Sequence, residues 1–130
     1  MIYLDTSALV KLVFDEVESD VLSQWLSQRE DMPKISSQIA TIELLRTCRR
    51  RDEGVVGAAR QVLAGLDLVP VAAGLVEQAS MVGPAALRTL DAIHLASALS
   101  VREDLVACVV YDARLRSAAM DAGLEVVAPA

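Results

Sequence analysis

The chain opens on Met1-Ile2-Tyr3-Leu4-Asp5-Thr6-Ser7, in which an apolar run passes directly into residues that begin helices. The apolar run predicts a buried strand. Residues 6–14 predict a helix, and a strand followed at once by a helix is the first half of a βαβ unit. This stretch therefore indicates an α/β fold with a parallel sheet. It also puts Asp5 at the carboxyl end of a strand, where open α/β sheets bind their ligands.

The alternation of strands and helices continues along the rest of the chain. Pro70 indicates that the third strand lies at an edge of the sheet, and Gly83-Pro84 separates two helices. The pattern predicts a three-layer α/β/α sandwich with a mainly parallel sheet of about five strands, in a single domain over residues 1–130. Further strands are predicted at 33–36, 68–71, 105–111 and 125–127, and further helices at 18–30, 38–51, 55–66, 73–82, 90–99 and 113–122.

The composition excludes several classes of protein. Hydrophobic residues make up 54% of the chain and charged residues 23%, which excludes disorder. A net charge of −6 and an aromatic content of 3% argue against a diffuse basic surface or a base-stacking platform for nucleic acid. Cys48 and Cys108 lack zinc-site spacing and are expected to be small buried residues. We expect a cytoplasmic protein, because neither a signal peptide nor a membrane-spanning run is visible.

Four acidic residues lie at element ends that a parallel sheet brings to one edge. Asp5 and Asp112 follow apolar strands, and Glu43 and Asp91 lie near the beginnings of predicted helices. Two carboxylates roughly 4 Å apart repel by about 4 kcal/mol at an effective dielectric constant near 20. Such a cluster must bind protons or a cation. Oxygen ligands without a His or Cys cluster suit Mg²⁺ or Mn²⁺.

Helix capping is the alternative role for two of these acids. Asp91 shares an apolar helix face with Leu95 and Ala98, and Asp is also favoured near helix N-termini. Asp5 or Thr6 can likewise cap the first helix. Capping and metal binding do not exclude each other.

Four segments together resemble the PIN-domain family, and more narrowly the VapC-type ribonuclease toxins of bacterial toxin–antitoxin pairs. They are Asp5-Thr6-Ser7, Ile42-Glu43-Leu44-Leu45-Arg46, Leu90-Asp91-Ala92-Ile93-His94-Leu95-Ala96 and Tyr111-Asp112-Ala113-Arg114-Leu115. The resemblance covers nearly the whole chain, with the segments in the expected order. It implies a Mg²⁺-dependent endoribonuclease with Asp5, Glu43, Asp91 and Asp112 as its acidic quartet.

The resemblance also implies a role for each site residue. Asp5 and Asp91 are expected to be the principal metal ligands. Glu43 and Asp112 complete the site, directly or through water, and help to orient the attacking water. Thr6 offers its hydroxyl or backbone N–H near the phosphate. The implied partners are RNA, a small antitoxin that covers the acidic cleft and presents an arginine to the carboxylates, and a second copy in a homodimer.

The basic residues and the histidine leave more than one interpretation. Lys11 and Arg114 flank the acidic strand ends, and we predict that they contact substrate phosphate. The arginine run from Arg46 to Arg51 is either a solvated helix end or a phosphate-contacting edge, and Arg46 can also pair with Glu43. We expect His94 to be a packed residue hydrogen-bonded inside its own helix rather than a catalytic base.

Two other functions compete with the nuclease. The first is a phospho-receiver signalling domain, which also has an acidic Mg²⁺ pocket but needs an Asp at the end of its third strand. Residues 68–71 offer none. The second is a catalytically silent PIN-like scaffold that binds RNA or protein.

Overall fold

The computed structural model describes all 130 residues. Its strands are β1 (Ile2–Leu4), β2 (Lys34–Ser37), β3 (Asp67–Val69), β4 (Ala107–Val109) and β5 (Val126–Val127). Its helices are α1 (Thr6–Val13), α2 (Ser19–Ser27), α3 (Ile39–Arg51), α4 (Val56–Ala64), α5 (Ala73–Met81), α6 (Thr89–Ser100) and α7 (Ala113–Asp121). Short 3₁₀ turns cover Glu53–Val55 and Arg102–Asp104. The predicted order of elements is confirmed.

The five strands form one sheet in the order β3-β2-β1-β4-β5, and every neighbouring pair is parallel. The parallel sheet predicted from the sequence is therefore confirmed. β3 lies at an edge, as Pro70 indicated. The strand predicted over 105–111 is shorter, because only residues 107–109 pair as β4.

Helices cover both faces of the sheet and make the predicted three layers. Side chains alternate along β1, so Ile2 and Leu4 join one core while Tyr3 joins the other. The first core includes Leu44 of α3, and the second includes Leu95 of α6. Full burial of a leucine contributes about 1.5–3 kcal/mol, so these two cores hold the helices against the sheet.

Two glycines end helices in the left-handed region that other residues rarely adopt. Gly123 has a φ of 86° and follows α7, as predicted for a glycine at a helix C-terminus. Gly83 has a φ of 68° and separates α5 from α6. Cys48 and Cys108 are buried and free, which confirms their predicted role as small core residues. None of the helices combines the length and the apolar character needed to cross a membrane.

The connectivity creates a crevice at the carboxyl ends of β1 and β4. From β1 the chain adds β2 and β3 on one side, and it then crosses to build β4 and β5 on the other. Open α/β sheets bind ligands at such a reversal of strand order. Asp5 follows β1 immediately, and Asp112 follows β4 by three residues.

Candidate active site

Asp5 is buried at this crevice and caps α1. Its Oδ1 accepts hydrogen bonds from the Ser7 hydroxyl at 2.6 Å and the Ala8 N–H at 3.1 Å, and the residue is 3% exposed. Its Oδ2 accepts no hydrogen bond. Every fully buried side-chain oxygen in the structure has a hydrogen-bond partner. Since Oδ2 has none, it is not fully buried and remains accessible from the crevice. Asp5 therefore caps the helix with one oxygen and leaves the other free for a ligand.

The charge of Asp5 is balanced by no Lys or Arg. Burial raises the pKa of Asp5 to about 6, although the hydrogen bond from Ser7 lowers it. No Lys or Arg forms an ion pair with this carboxylate. A buried carboxylate in this position is stabilised either by a proton or by a cation from outside the chain.

Asp91 lies half-buried in the first turn of α6 and accepts no hydrogen bond. Arg88 is the N-cap residue, and no side chain caps this helix, so the capping role considered for Asp91 is wrong. Partial burial raises the pKa of Asp91, and the charge of Asp112 raises it further, followed by a smaller effect of Glu43. The charges of Asp112 and Glu43 therefore disfavour the ionised form of Asp91.

Asp112 caps α7 in the way that Asp5 caps α1. Its Oδ1 accepts the N–H groups of Arg114 at 3.1 Å and Leu115 at 3.0 Å. Its Oδ2 accepts no hydrogen bond, and the residue is exposed. Both acids that follow the strands of the crevice therefore use one oxygen to begin a helix.

Glu43 is held from one side only. Its Oε1 accepts the Thr6 hydroxyl at 2.8 Å and lies 2.7 Å from Nε2 of His94, while Oε2 accepts no hydrogen bond. Arg46 forms no ion pair with Glu43, so the pairing considered for these two residues is wrong. The partners of Glu43 come instead from α1 and α6.

His94 is buried, as expected, but it is not hydrogen-bonded inside its own helix. Its Nδ1 lies 2.7 Å from the Tyr3 hydroxyl, and its Nε2 contacts Glu43 and Thr6. That part of the prediction is wrong because the ring lies at the sheet edge, where it reaches β1, α1 and α3. Sequence reasoning missed Tyr3, although a hydroxyl in an otherwise apolar strand was a usable signal.

Ser7 was also missed as a site residue. Its hydroxyl donates to Asp5 and accepts the N–H of Tyr111 at 3.0 Å. It thereby ties the end of β1 to the segment that leads into Asp112. The signal was its place in the Asp5-Thr6-Ser7 segment, two residues after the acid.

The basic residues fall into two groups. The ammonium of Lys11 lies 3.2 Å from Glu16 and 2.8 Å from Glu18, so its charge is already paired. Although burial opposes its charged form, Glu18 and Glu16 raise the pKa of Lys11. Arg114 is exposed in the first turn of α7 and forms no ion pair.

The arginines of α3 likewise include some that are paired with carboxylates and some that are not. Arg46, Arg49 and Arg50 line a cavity of about 390 Å³ together with Glu53. Arg51 is turned away from it, over the Phe14 ring and 3.4 Å from a carboxylate oxygen of Glu16. Arg49 lies 3.8 Å from a carboxylate oxygen of Glu53. Arg46 and Arg50 form no ion pair and are therefore the two arginines of the cavity available to an anionic ligand.

The four acids fit a hard divalent cation by their chemistry. Each keeps at least one oxygen without a hydrogen bond, and none forms an ion pair with Lys or Arg. Oxygen ligands of this kind are those that Mg²⁺ and Mn²⁺ prefer. No group of three His, Cys, Asp or Glu residues in the structure could hold one ion together. The fit is therefore one of ligand type, and the expected meeting of all four acids around one ion is not observed.

Residues 2–120 match the model of the PIN domain family. The chain belongs to this family. Three relatives from Mycobacterium tuberculosis place it among the VapC ribonucleases: Ribonuclease VapC47 (41% identical, covering 99% of this chain and 97% of the relative), Ribonuclease VapC46 (44%, 98% and 97%) and Ribonuclease VapC35 (45%, 99% and 97%). The resemblance seen in the four sequence segments is confirmed.

Two solved structures share the PIN fold of this chain. VapC20 of Mycobacterium tuberculosis, described as a sarcin-ricin loop cleaving toxin, aligns over 99% of this chain and 100% of its own with a TM-score of 0.75 and 19% identity. VapBC2 of Rickettsia felis, bound to a DNA fragment from its promoter, aligns over 100% of both chains with a TM-score of 0.66 and 14% identity. At these identities the likeness confirms the fold.

Proposed function

We propose that this chain is a divalent-metal-dependent endoribonuclease that acts as the toxin of a toxin–antitoxin pair. VapC ribonucleases 41–45% identical over nearly the whole chain support the reaction and the role. The observation that carries the proposal is Asp5, a buried carboxylate at the reversal of strand order with one oxygen free and no basic partner. Such a group is suited to binding a cation rather than to stabilising the fold.

Asp5 and Asp91 are the principal ligands in this proposal, and Glu43 and Asp112 complete the set. Mg²⁺ is the first choice of ion and Mn²⁺ the second. When bound, such an ion polarises the phosphate and lowers the pKa of a coordinated water. The chain's own contribution is orientation: the N–H groups of α1 and α7 fix one oxygen of Asp5 and one of Asp112. The free Oε2 of Glu43 can orient the water that attacks phosphorus.

The RNA backbone needs positive charge beside these acids. Arg114, two residues after Asp112, and the hydroxyl or N–H of Thr6, next to Asp5, are the candidates, although the Thr6 hydroxyl already donates to Glu43. Lys11 remains a prediction, with the reservation that two carboxylates hold its ammonium group.

The cavity of Arg46, Arg49 and Arg50 extends the RNA-binding surface away from the acids. At about 1.5 Å of rise per residue, Arg46 lies roughly 4.5 Å and Arg50 roughly 10 Å beyond Glu43 along α3. Glu43, Arg46 and Arg50 share one side of the helix because they are spaced by three and four residues. We therefore assign backbone phosphates on one side of the cut to these arginines, since phosphate contacts position an RNA without reading its sequence.

The proposed partners are a small antitoxin and a second copy of the chain, in the cytoplasm. An antitoxin arginine directed at the unpaired carboxylates neutralises the charge that the metal otherwise balances. The name of the VapBC2 structure supports an antitoxin partner. Met81, 79% exposed, and Met120, 60% exposed, are apolar side chains available for contact with a second copy. We assign all 130 residues to one PIN domain.

Neither competing function gains support. β3 ends at Val69 before Pro70 and carries its only acid, Asp67, at its beginning, so the phosphate-accepting Asp of a receiver domain is missing. The curated relatives are named as ribonucleases, which does not favour a silent scaffold.

Incubation of the purified chain with total cellular RNA, in Mg²⁺, in Mn²⁺ and in a chelator, tests the proposal. Cleavage is expected only with a divalent ion, and Asp5→Asn and Asp91→Asn are expected to abolish both cleavage and growth inhibition. Asp67→Asn is the matched control, because it removes an exposed carboxylate at the opposite edge of the sheet. Cleavage at the parental rate by a variant that carries both Asp5→Asn and Asp91→Asn would overturn the proposal. Mapping the cut ends identifies the RNA.

A further inference from the structure

A series of hydrogen bonds connects Tyr3 in the core with Glu43 in the candidate active site. It begins at the hydroxyl of Tyr3, which lies 2.7 Å from Nδ1 of His94, and continues from Nε2 of His94 to Oε1 of Glu43 at 2.7 Å. Thr6 donates to the same Glu43 oxygen at 2.8 Å. The four residues come from β1, α1, α3 and α6, so the series joins both helical layers at the sheet edge.

The chemistry of the end groups fixes where each proton lies. An ionised Glu43 can only accept, so the 2.7 Å contact requires a proton on Nε2 of His94. A neutral imidazole then has no proton on Nδ1, which must accept from the Tyr3 hydroxyl. The Tyr3 hydroxyl is buried and lies 2.7 Å from Nδ1, so it is the group that donates to this nitrogen.

Both donors to Glu43 act on the same oxygen. Oε1 receives Thr6 and His94, while Oε2 accepts no hydrogen bond and the side chain is 21% exposed. The two hydrogen bonds to Oε1 therefore fix the rotation of the carboxylate and leave Oε2 free to bind a ligand. If the buried Tyr3–His94 pair served only for packing, any hydrogen-bond acceptor would satisfy Nε2 of His94. Here the acceptor is Glu43, a carboxylate whose other oxygen is free.

We infer that Tyr3 and His94 are positioning residues that hold Glu43 with its Oε2 directed to the metal and its water. The inference rests on the proposed function, since it gives Glu43 its task in that reaction. His94 acts through Glu43 and does not itself touch the substrate. Partners of this kind typically contribute about 10–100-fold to metal affinity or activity.

The proton positions can be read directly, because His94 is the only histidine in the chain. Long-range ¹H–¹⁵N correlation on the tag-free, metal-free protein in alkaline buffer reports which ring nitrogen carries the proton. We expect a single Nε2–H tautomer in the parent and a mixture in Tyr3→Phe, which removes the hydroxyl but keeps the ring. A ring that averages between tautomers in the parent, or one protonated on Nδ1, overturns the inference.

The functional effect is measured on His94→Leu and His94→Gln. We expect His94→Leu to lower kcat and Mn²⁺ affinity by about 10–100-fold with the KM for RNA nearly unchanged. His94→Gln keeps a donor near the position of Nε2 and is expected to recover part of both losses. Leu95→Ala is the matched control, because it opens a cavity in the neighbouring core without touching Glu43. It is expected to lower the melting temperature but to keep kcat and Mn²⁺ affinity.

The outcomes separate this inference from the proposed function. If the parent binds Mn²⁺ but cleaves no RNA, the function fails, and a weaker Mn²⁺ affinity in His94→Leu still supports the positioning role. If His94→Leu binds Mn²⁺ and cleaves RNA like the parent, or if Leu95→Ala loses as much kcat as His94→Leu, the positioning role is wrong and the nuclease stands.

Discussion

The hydroxyl of Ser7 accepts the N–H of Tyr111 at 3.0 Å while it donates to Asp5 at 2.6 Å. One side chain thus couples the first acid of the site to the segment that carries the fourth. We expect Ser7→Ala to lower RNA cleavage by about 10–100-fold, as for other groups that orient metal ligands. The loss in stability should be about 1–3 kcal/mol, because the Tyr111 N–H and an oxygen of the buried Asp5 lose their partner.

Steady-state cleavage and urea unfolding measure the two effects of Ser7→Ala. Ser27→Ala is its control, because that exposed hydroxyl donates only to a carbonyl of its own helix. Equal cleavage by Ser7→Ala and the parent would contradict the coupling.

We expect Asp5 to destabilise the metal-free protein at neutral pH. Burial places its folded-state pKa at about 6, above its ordinary value of 3.8, so between these values the folded protein holds a proton that the unfolded chain has released. The free energy of unfolding therefore falls as the pH rises from about 4 to about 6. Asp5→Asn keeps an N-cap oxygen and should remove this dependence, stabilising the metal-free protein at neutral pH by on the order of 1–3 kcal/mol.

Urea unfolding in a chelator across this pH range measures the effect of Asp5→Asn. Asp67→Asn should leave the pH dependence unchanged, because that acid is exposed. Addition of Mn²⁺ should stabilise the parent but not Asp5→Asn. If the free energy of unfolding depends on pH in the same way in the parent and in Asp5→Asn, Asp5 is not the group that destabilises the metal-free protein.

Asp112 has two tasks that different substitutions can separate. Asp112→Asn keeps an oxygen for the N–H groups of α7 but removes the charge, so we expect weaker Mn²⁺ binding at nearly unchanged stability. Asp112→Ala also loses the cap, which costs about 0.5–2 kcal/mol. Calorimetric titration with Mn²⁺ and thermal unfolding measure the two properties. If both variants bind Mn²⁺ like the parent, Asp112 is a capping residue alone.

The arginine cavity should set the salt dependence of RNA binding. In an Asp5→Asn background, which prevents cleavage, we expect Arg46→Ala and Arg50→Ala each to weaken binding of single-stranded RNA. Each should also reduce the slope of log affinity against log salt by about 0.7 for every phosphate that the variant no longer neutralises. Fluorescence anisotropy at several salt concentrations measures this.

Arg102→Ala is the control for the arginine cavity, since Arg102 precedes β4 at the opposite edge of the sheet. Unchanged slopes in both cavity variants would remove this surface from the RNA path. Weaker antitoxin binding at unchanged RNA binding would assign it to the antitoxin instead.

The fold was predictable because its signals are local. The strand-to-helix passage at Asp5, the buried run before Asp112 and the glycine after α7 each follow from a few neighbouring residues. Parallel strands joined by helices then leave few topologies. The boundaries of β4 were less predictable, because strand pairing ends where the neighbouring strand ends and not where the apolar run does.

In the candidate site, too, local contacts were predictable from the sequence and long-range contacts were not. The capping of α1 by Asp5 was open to prediction, since it involves residues three apart. The partners of His94 and Glu43 were not, because Tyr3, Thr6 and Glu43 lie 91, 88 and 51 residues from His94. Periodicity fixes which face of a helix is buried, but not which atom meets a given oxygen at the sheet edge.

The sequence alone therefore determined the α/β/α architecture and the acids expected at its active edge, since periodicity and element order carry that information. The tertiary structure alone decided which carboxylate oxygens are bound and which are free. It directed His94 rather than Arg46 to Glu43 and paired the charge of Lys11 with Glu16 and Glu18. The physical reason is that hydrogen bonds depend on ångström-scale placement between distant elements, which only the packing of two cores against one sheet fixes.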